Sequence, residues 1–334
     1  NTMSQALISV VLPVYNSEQF IYDAVLSISN QTYKNIEILI IVNGTTDNSI
    51  TEINKIKDDR IRIIEIKESI GLIKALNIGI KESSGKYIAR MDADDISAPE
   101  RIEKQAYFLE KNKDYGLCSS WFKTFGTRNS IVKYETEDHK IKLKLLHECH
   151  VCHPSVLIRK SILDAHNLEY PVGFPHSEDY ALWIELTDKT KFYTYPEILL
   201  NYRDHDSNIS KIENKTQQNL SINLKKQYFE KLGCKLSTEE INIYCKFAYS
   251  DFSISESEVK AIDIIINKIF SNLNPNIISV NQLEKYLAQK WNILIKNSIL
   301  DKKVLNKIFS KSYVFKNINS SLDNAKTKLK LIIK

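Results

Sequence analysis

The ten residues KYIARMDADD, at positions 86–95, join an apolar strand-like run to a group of carboxylates. Asp92 and Asp94 are separated by Ala93, and a helix start follows at positions 97–100. Carboxylates at the end of a buried strand suit a hard divalent cation, which prefers oxygen ligands and often keeps waters that a phosphate can replace. A polar strand-to-helix turn explains many such triplets equally well. The flanking sequence must therefore decide between a metal site and a turn.

Outward from this stretch, strand and helix patterns alternate four times over the first hundred residues. Apolar, β-branched runs predict strands at residues 8–16, 36–42, 60–66 and 86–91. Apolar residues at helical spacing predict helices at residues 18–30, 46–56 and 70–81. The alternation predicts an α/β, Rossmann-like fold, in which helices cover both faces of a mostly parallel sheet. Ligands of such sheets bind at the carboxyl ends of the strands, where residues 13–16, 43–44 and 92–95 fall.

Four segments resemble the inverting family 2 glycosyltransferases, which are nucleotide-sugar-dependent enzymes with the GT-A fold. They are GLIKALNIG at 71–79, GKYIARMDADD at 85–95, EDYALW at 178–183 and RDHDSNIS at 203–210, where Asn208 stands at a position that is often Ser. The resemblance covers about residues 7–210. It is greatest to bacterial enzymes that extend lipopolysaccharide, capsule or other surface glycans by one sugar. It implies a UDP-hexose or UDP-N-acetylhexosamine donor and a glycan or lipid-linked saccharide acceptor.

The resemblance also implies a metal cofactor, Mn²⁺ or Mg²⁺, that stabilises the departing diphosphate as a Lewis acid. Asp94 is the expected direct ligand, and Asp92 is expected to approach the ribose or a metal-bound water. His205 is a candidate third ligand or phosphate contact. A single histidine in a polar loop is otherwise usually solvated.

The expected general base is Asp179, and the neighbouring Glu178 is expected to orient or tune it. Two adjacent carboxylates repel each other when both are charged, which raises one pKa and makes a better base. An acidic first turn of a helix at 180–187 is an alternative, because the helix dipole favours it. One base without an opposed nucleophile implies a single displacement that inverts the anomeric centre.

Donor binding is assigned by resemblance to the first strand ends and to polar side chains near them. The expected donor-binding residues are Pro13, Val14, Tyr15, Asn16, Asn43, Lys74, Asn77, Arg90, Asp92 and Ala93. Val42 stands where the family often has an Asp that helps to bind uracil, although Asn43 can still donate and accept hydrogen bonds. Lys74 and Asn77 can equally be a solvated helix face or a cap. On the acceptor side, the expected residues are His153, Ser155 and Trp183, and His153 before Pro154 can also be a turn residue.

The chain of 334 residues is longer than one typical domain. We expect a glycosyltransferase domain at 1–210, with a nucleotide-sugar half at 1–100 and an acceptor half at 101–210. Residues 211–334 form an expected helical appendage, in which Ser237 and Ser255 begin capping boxes. Cys149 and Cys152 beside two histidines form an incomplete zinc pattern, since no second Cys/His pair accompanies them.

The net charge of +5 and the lack of a dense basic patch with aromatics in the first 200 residues argue against a nucleic-acid partner. No run of about 18 apolar residues and no signal peptide is visible, which favours a cytoplasmic protein. A basic amphipathic pattern at 321–334 fits either peripheral contact with the inner face of the plasma membrane or packing and homo-oligomerisation through C-terminal helices.

Two other functions fit an open sheet with acidic strand ends. A nucleotidyltransferase would require a Gly-rich, basic phosphate loop after the first strand, and residues 13–18 contain none. A catalytically inactive sugar-nucleotide-binding module would be expected to lack the metal carboxylates or the base, and this chain has both.

Overall fold

The computed structural model describes residues 5–205, 214–312 and 314. The described residues fall into two compact units. The first unit lies within Asn1–Ile141 and His150–Leu220, and the second lies within Lys142–Cys149 and Ser221–Lys334. The short segment 142–149 thus belongs to the second unit although it interrupts the first in sequence, which the sequence patterns did not indicate. The two predicted halves of residues 1–210 stay a prediction.

The first unit is built on one mixed sheet of nine described strands. They are β1 (Ile8–Val14), β2 (Ile36–Asn43), β3 (Ile61–Ile66), β4 (Tyr87–Arg90), β5 (Ile96–Ser97), β6 (Tyr115–Gly126), β7 (Ser130–Val132), β8 (Leu157–Arg159) and β9 (Lys191–Asp204). Their order is β3-β2-β1-β4-β8-β6-β9-β5, with β7 on β6. The first four strands of this order are mutually parallel. β8 is antiparallel to both neighbours, and β6 and β9 are parallel to each other.

Seven α-helices connect these strands. They are α1 (Ile21–Ser29), α2 (Ser49–Ile53), α3 (Leu72–Glu82), α4 (Arg101–Lys111), α5 (Asp138–Lys144), α6 (Lys160–His166) and α7 (Glu178–Leu186). Every residue of β1 is buried. Alternate residues such as Val10 pack in one core with α1 and α4, whereas a Cβ added at Gly79 of α3 would lie 2.3 Å from Cγ1 of Val11. Helices therefore cover both faces of the central strand, and the predicted α/β fold is confirmed.

Five helices follow the sheet in sequence: α8 (Asn214–Lys231), α9 (Thr238–Tyr249), α10 (Glu256–Ser271), α11 (Val280–Asn297) and α12 (Lys302–Lys311). Both predicted capping boxes are present, at Ser237 with Glu240 and at Ser255 with Glu258. A third, at Ser279 with Gln282, begins α11. None of the helices in the described residues combines the length and the hydropathy needed to cross a bilayer. The amphipathic pattern at 321–334 lies outside the described residues.

Candidate active site

The carboxyl ends of β1, β2 and β4 lie side by side, because the three strands are parallel neighbours. Asn16 has a left-handed backbone with φ of 45°, and its Oδ1 accepts a hydrogen bond from the Thr46 N–H at 2.9 Å. This bond joins the loop after β1 to the turn after β2. Tyr15, which directly precedes Asn16, is 58% exposed, so its ring is available to a ligand at this edge. Asn43 is buried, and its Oδ1 accepts from the Ile70 N–H at 2.9 Å.

Three carboxylates gather after β4. One carboxylate oxygen from each of Asp92, Asp94 and Asp95 lies within 4.8 Å of the other two. Asp95 was not among the predicted ligands, although its position directly after Asp94 was a usable signal. Each carboxylate also has a donor: the Arg90 guanidinium pairs with Asp92, His205 Nε2 lies 2.9 Å from Asp94 Oδ2, and the Arg203 N–H donates to Asp95 Oδ1 at 2.8 Å. The three predicted metal-site residues are therefore brought together: Asp92 and Asp94 belong to the cluster, and His205 contacts it through Asp94.

The chemistry of this cluster fits a divalent cation. Burial, and then the charge of Asp92, raise the pKa of the Asp94 carboxyl, and the same two causes raise the pKa of Asp95 well above its usual range. Oδ2 of Asp95 is buried and has no hydrogen-bond partner among the described residues. A cation would offset this mutual repulsion, and carboxylate oxygens with one imidazole are ligands that Mg²⁺ or Mn²⁺ accepts. Ser207, Asn208 and Ser210 of the predicted His-containing segment lie outside the described residues.

Arg90 is only 4% exposed, and its charge acts on several site residues. It pairs with Asp92, it lowers the pKa of His153 together with burial, and it opposes the raised pKa of Glu178. Burial alone would lower the pKa of Arg90, but the adjacent Asp92 outweighs burial and raises it. The guanidinium is thus a buried cation paired with one carboxylate of the cluster, and we do not propose a direct donor contact for it. Pro13 and Val14 are also buried.

The two carboxylates predicted to provide the general base, Glu178 and Asp179, are the first two residues of α7. Glu178 is 5% exposed, and burial followed by the charge of Asp179 raises its pKa from 4.5 to about 7. Its buried Oε2 has no hydrogen-bond partner among the described residues. Asp179 is half-buried, and its Oδ1 accepts from the Tyr180 N–H at 2.7 Å. The carboxyl whose pKa is raised by this adjacency is therefore Glu178, beside the more accessible Asp179.

The predicted acceptor residues differ in exposure. His153 is 9% exposed, and its Nε2 lies 2.7 Å from the Tyr170 hydroxyl. Ser155 and Trp183 have no exposed surface. The Ser155 hydroxyl donates to the Cys152 carbonyl at 2.8 Å and accepts from the Ser120 N–H at 3.0 Å. We therefore do not propose Ser155 or Trp183 as acceptor contacts, because their side chains are enclosed by protein.

Two further predicted donor residues lie on α3. Lys74 is exposed, whereas both polar groups of the Asn77 amide bind the main chain of Tyr170. We therefore do not propose a donor contact for Asn77, because its amide is already bound by the main chain. Tyr170 itself was missed by the sequence analysis, since no motif marks it and its partner on α3 is 93 positions away.

Comparison with known proteins identifies the family. The sequence model described as "Glycosyl transferase family 2" matches residues 9–166. An uncharacterized glycosyltransferase of Haemophilus influenzae is 31% identical over 324 residues, which cover 90% of this chain and 97% of the relative. The Escherichia coli protein WfaP, named UDP-Glc:alpha-D-GlcNAc-diphosphoundecaprenol beta-1,3-glucosyltransferase, is 32% identical over 185 residues, or 55% of this chain and 71% of WfaP.

Solved structures show the same fold at low sequence identity. Residues 1–349 of Staphylococcus aureus TarS superpose with a TM-score of 0.57 at 15% identity, covering 92% of each chain. The mannosyltransferase PcManGT of Pyrobaculum calidifontis, solved with GDP-Man and Mn²⁺, superposes with a TM-score of 0.54 at 12% identity, covering 92% of this chain and 87% of PcManGT. These neighbours are GT-A glycosyltransferases. The Haemophilus influenzae relative, which matches over 97% of its length, the matching sequence model and the shared fold lead to one conclusion: this chain belongs to glycosyl transferase family 2 and is a glycosyltransferase.

Proposed function

We propose that this enzyme uses a divalent metal to transfer a hexose or N-acetylhexosamine from a UDP-sugar, with inversion, to a glycan or lipid-linked saccharide in bacterial surface polysaccharide synthesis. The observation that carries the proposal is the cluster of Asp92, Asp94 and Asp95, which His205 contacts, at the edge where β1, β2 and β4 end. A sugar nucleotide at this edge would present its diphosphate to the cluster.

The names of similar proteins support the choice of substrates. WfaP is named for transfer from UDP-Glc to a diphosphoundecaprenol-linked GlcNAc. TarS has been solved with UDP and with UDP-GlcNAc. PcManGT was solved with GDP-Man, so a guanosine donor belongs in any test of donor choice. On the proposed assignment, the exposed ring of Tyr15 and the turn after Asn43 receive the uridine, and Lys74 approaches the diphosphate.

We assign separate roles in the transfer to the carboxylate cluster, to the Glu178–Asp179 pair and to Arg90. A divalent cation held by Asp92, Asp94 and Asp95, with His205 adjacent, would supply Lewis-acid stabilisation of the departing diphosphate. Asp179 accepts the proton of the acceptor hydroxyl as that oxygen attacks the anomeric carbon, and the bond from this carbon to the UDP oxygen breaks with its electron pair leaving on the diphosphate. Glu178, buried beside it, keeps a proton over more of the pH range and so limits repulsion at Asp179. Arg90 orients Asp92 through their ion pair.

The decisive experiment measures thermal stabilisation by UDP, GDP, UDP-glucose, UDP-galactose, UDP-GlcNAc, UDP-GalNAc and GDP-mannose, with Mn²⁺, Mg²⁺ or EDTA. A ligand that binds only the folded protein raises the melting temperature according to its concentration relative to its affinity. At about 100 times the dissociation constant, the gain is about 2.7 kcal/mol. We expect the largest shift with UDP or one UDP-sugar in the presence of metal.

The variant Asp94→Ala should lose most of that metal-dependent shift, because it removes the expected direct ligand of the metal. Asp114→Ala, which removes an exposed carboxylate paired with Lys191, is the matched control and should keep the shift. Equal stabilisation of wild type and Asp94→Ala would contradict the metal site. A larger shift with GDP than with UDP would contradict the uridine donor.

A cytoplasmic location, with peripheral contact at the inner face of the plasma membrane or homo-oligomerisation through the C-terminal helices, stays a prediction. The segment at 321–334 that motivated the membrane contact lies outside the described residues.

A further inference from the structure

One side chain of α3 holds the loop that leads to the proposed base. Nδ2 of Asn77 donates to the Tyr170 carbonyl at 2.9 Å, and Oδ1 of Asn77 accepts from the Tyr170 N–H at 2.9 Å. Both polar groups of the amide are thus bound by the main chain of one residue. Two antiparallel bonds to the same residue fix its position and its orientation together. We call this pair of bonds the Asn77–Tyr170 clasp.

The side chain of Tyr170 extends the clasp to the acceptor side of the site. Its hydroxyl lies 2.7 Å from Nε2 of His153, and the two residues are 2% and 9% exposed. Burial lowers the pKa of His153 well below its usual value, with the nearby Arg90 adding to the effect, and burial raises the pKa of the Tyr170 hydroxyl. The two groups are thus held as a neutral imidazole and a neutral hydroxyl, joined by one short hydrogen bond. His153 in turn meets the Trp183 ring of α7 edge-on, at 5.8 Å.

The loop after Tyr170 needs such an anchor. His176 has a left-handed backbone with φ of 63°, only two residues before Glu178. A non-glycine residue in this region costs about 1 kcal/mol or more and persists only where its surroundings determine it. Gly173 has φ of 105°, and Val172 is 67% exposed, so the tip of the loop lies at the surface. Tyr170 therefore holds the inner end of a strained segment that ends at Glu178 and Asp179.

We propose that Asn77 is a positioning residue for sugar transfer, which acts through Tyr170 on the placement of Asp179 and His153 and not by binding the donor. The inference rests on the proposed role of Asp179 as the base. A donor-binding residue would affect both the rate of the chemical step and the binding of the donor, whereas a positioning residue affects the rate alone. Loss of the clasp should slow the chemical step while leaving binding of the UDP moiety intact.

The variant Asn77→Leu keeps the approximate volume and removes both bonds of the clasp. The readout is UDP release from UDP-glucose, UDP-galactose and UDP-GlcNAc with Mn²⁺, where water serves as the acceptor. We expect kcat to fall 10- to 100-fold and the KM for the UDP-sugar to change by less than about twofold. Asn77→Asp, which keeps the acceptor for the Tyr170 N–H, should restore part of kcat. Lys81→Ala, an exposed position on the same helix, should match wild type.

Amide hydrogen exchange provides a readout that does not depend on turnover. Asn77→Leu should raise exchange at residues 168–177. Tyr170→Phe should leave the main-chain amide of residue 170 protected, because both bonds of the clasp are made by the main chain. A kcat within twofold of wild type for Asn77→Leu, or a rise in KM as large as the fall in kcat, would overturn the positioning role. If the wild type neither binds UDP nor releases it, the proposed function fails. Unchanged exchange in Asn77→Leu would refute the clasp by itself.

Discussion

At the scale of single residues, charge is concentrated where the surrounding protein offers little water. Glu178 is 5% exposed and Asp95 is fully buried, yet both are acidic. Burial and neighbouring negative charge raise both pKa values, which means that the folded protein is under electrostatic strain in its ionised form. Sites that bind or transform ligands commonly keep such strain because the ligand or the reaction uses it.

Glu178 makes this strain measurable as a pH dependence of stability. Its pKa is raised from 4.5 to about 7 in the folded chain, so its contribution to stability is fully present below pH 4.5 and is lost as the pH rises through 7. The loss is on the order of 3 kcal/mol at most. Glu178→Gln does not titrate, so its melting temperature relative to wild type should rise between pH 5 and pH 8, by several degrees.

Glu185→Gln, which removes an exposed carboxylate from the same helix, is the control for this measurement. A difference between Glu178→Gln and wild type that is the same at pH 5 and pH 8 would show that Glu178 does not titrate in this interval.

At the scale of elements, two glycines flank the strand and helix that shape the predicted donor edge. Gly44 follows β2 with φ of 68°, and Gly71 precedes α3 with φ of 85°. Both backbones favour glycine. A Cβ at Gly44 would lie 2.3 Å from the Ser69 main-chain nitrogen, whereas a Cβ at Gly71 would meet nothing within 4 Å.

Alanine substitutions at these two glycines should lower the free energy of unfolding by different amounts. Gly71→Ala should cost about 1–3 kcal/mol of unfolding free energy through backbone strain alone, because φ of 85° with ψ of 159° is a region that essentially only glycine occupies. Gly44→Ala should cost roughly 1–3 kcal/mol more, because the loop at Ser69 must also move. Gly44→Ala should also weaken UDP binding several-fold, since it displaces the turn after Asn43. Urea unfolding and UDP titration check both effects, and equal costs at the two positions would rule out the contact with Ser69.

Local patterns were sufficient for the first four strands and three helices, because each is defined by the periodicity of its own residues. β2 was expected at 36–42 and is Ile36–Asn43, and α3 was expected at 70–81 and is Leu72–Glu82. The pairing of β6 with β9 was out of reach, since residues some 75 positions apart meet there with register shifts near Ser120 and Trp121. Side-chain periodicity does not encode such pairing.

The site shows the same division. Asp92, Asp94 and the Glu178–Asp179 pair were predicted because their spacing matches motifs, and the structure places the first two in one cluster with Asp95. Burial was not predictable for Ser155 and Trp183, because it depends on elements that approach from elsewhere in the chain. Tyr170 was missed for the same reason.

At the scale of the whole molecule, the second unit is discontinuous in sequence. Leu145, Leu146 and His147 of the segment 142–149 are fully buried. The Tyr228 hydroxyl donates to the Lys142 carbonyl at 3.1 Å, and the Tyr249 hydroxyl donates to the His147 carbonyl at 2.9 Å. The segment is thus bonded to helices that come about 80 to 100 positions later.

A chain that ends at residue 220 should therefore fold poorly. It keeps the segment 142–149 but lacks Tyr228 and Tyr249, which leaves apolar side chains and two carbonyl groups without their partners. We expect the melting temperature to fall by at least about 10 °C, or the protein to aggregate. Differential scanning calorimetry checks this result. A chain that ends at residue 314 is the control, and a 1–220 chain as stable as wild type would contradict the prediction.

The interrupted order of the units also constrains how this enzyme can diverge. A crossover at one point after residue 220 would bring in foreign helices while keeping the native 142–149 segment, whose carbonyl groups are matched to Tyr228 and Tyr249. A new C-terminal region can therefore be inherited only with two exchanges, or with one exchange followed by adaptation of the eight residues 142–149. Gene shuffling should accordingly yield active hybrids when the segment 142–149 and the region after residue 220 come from the same parent.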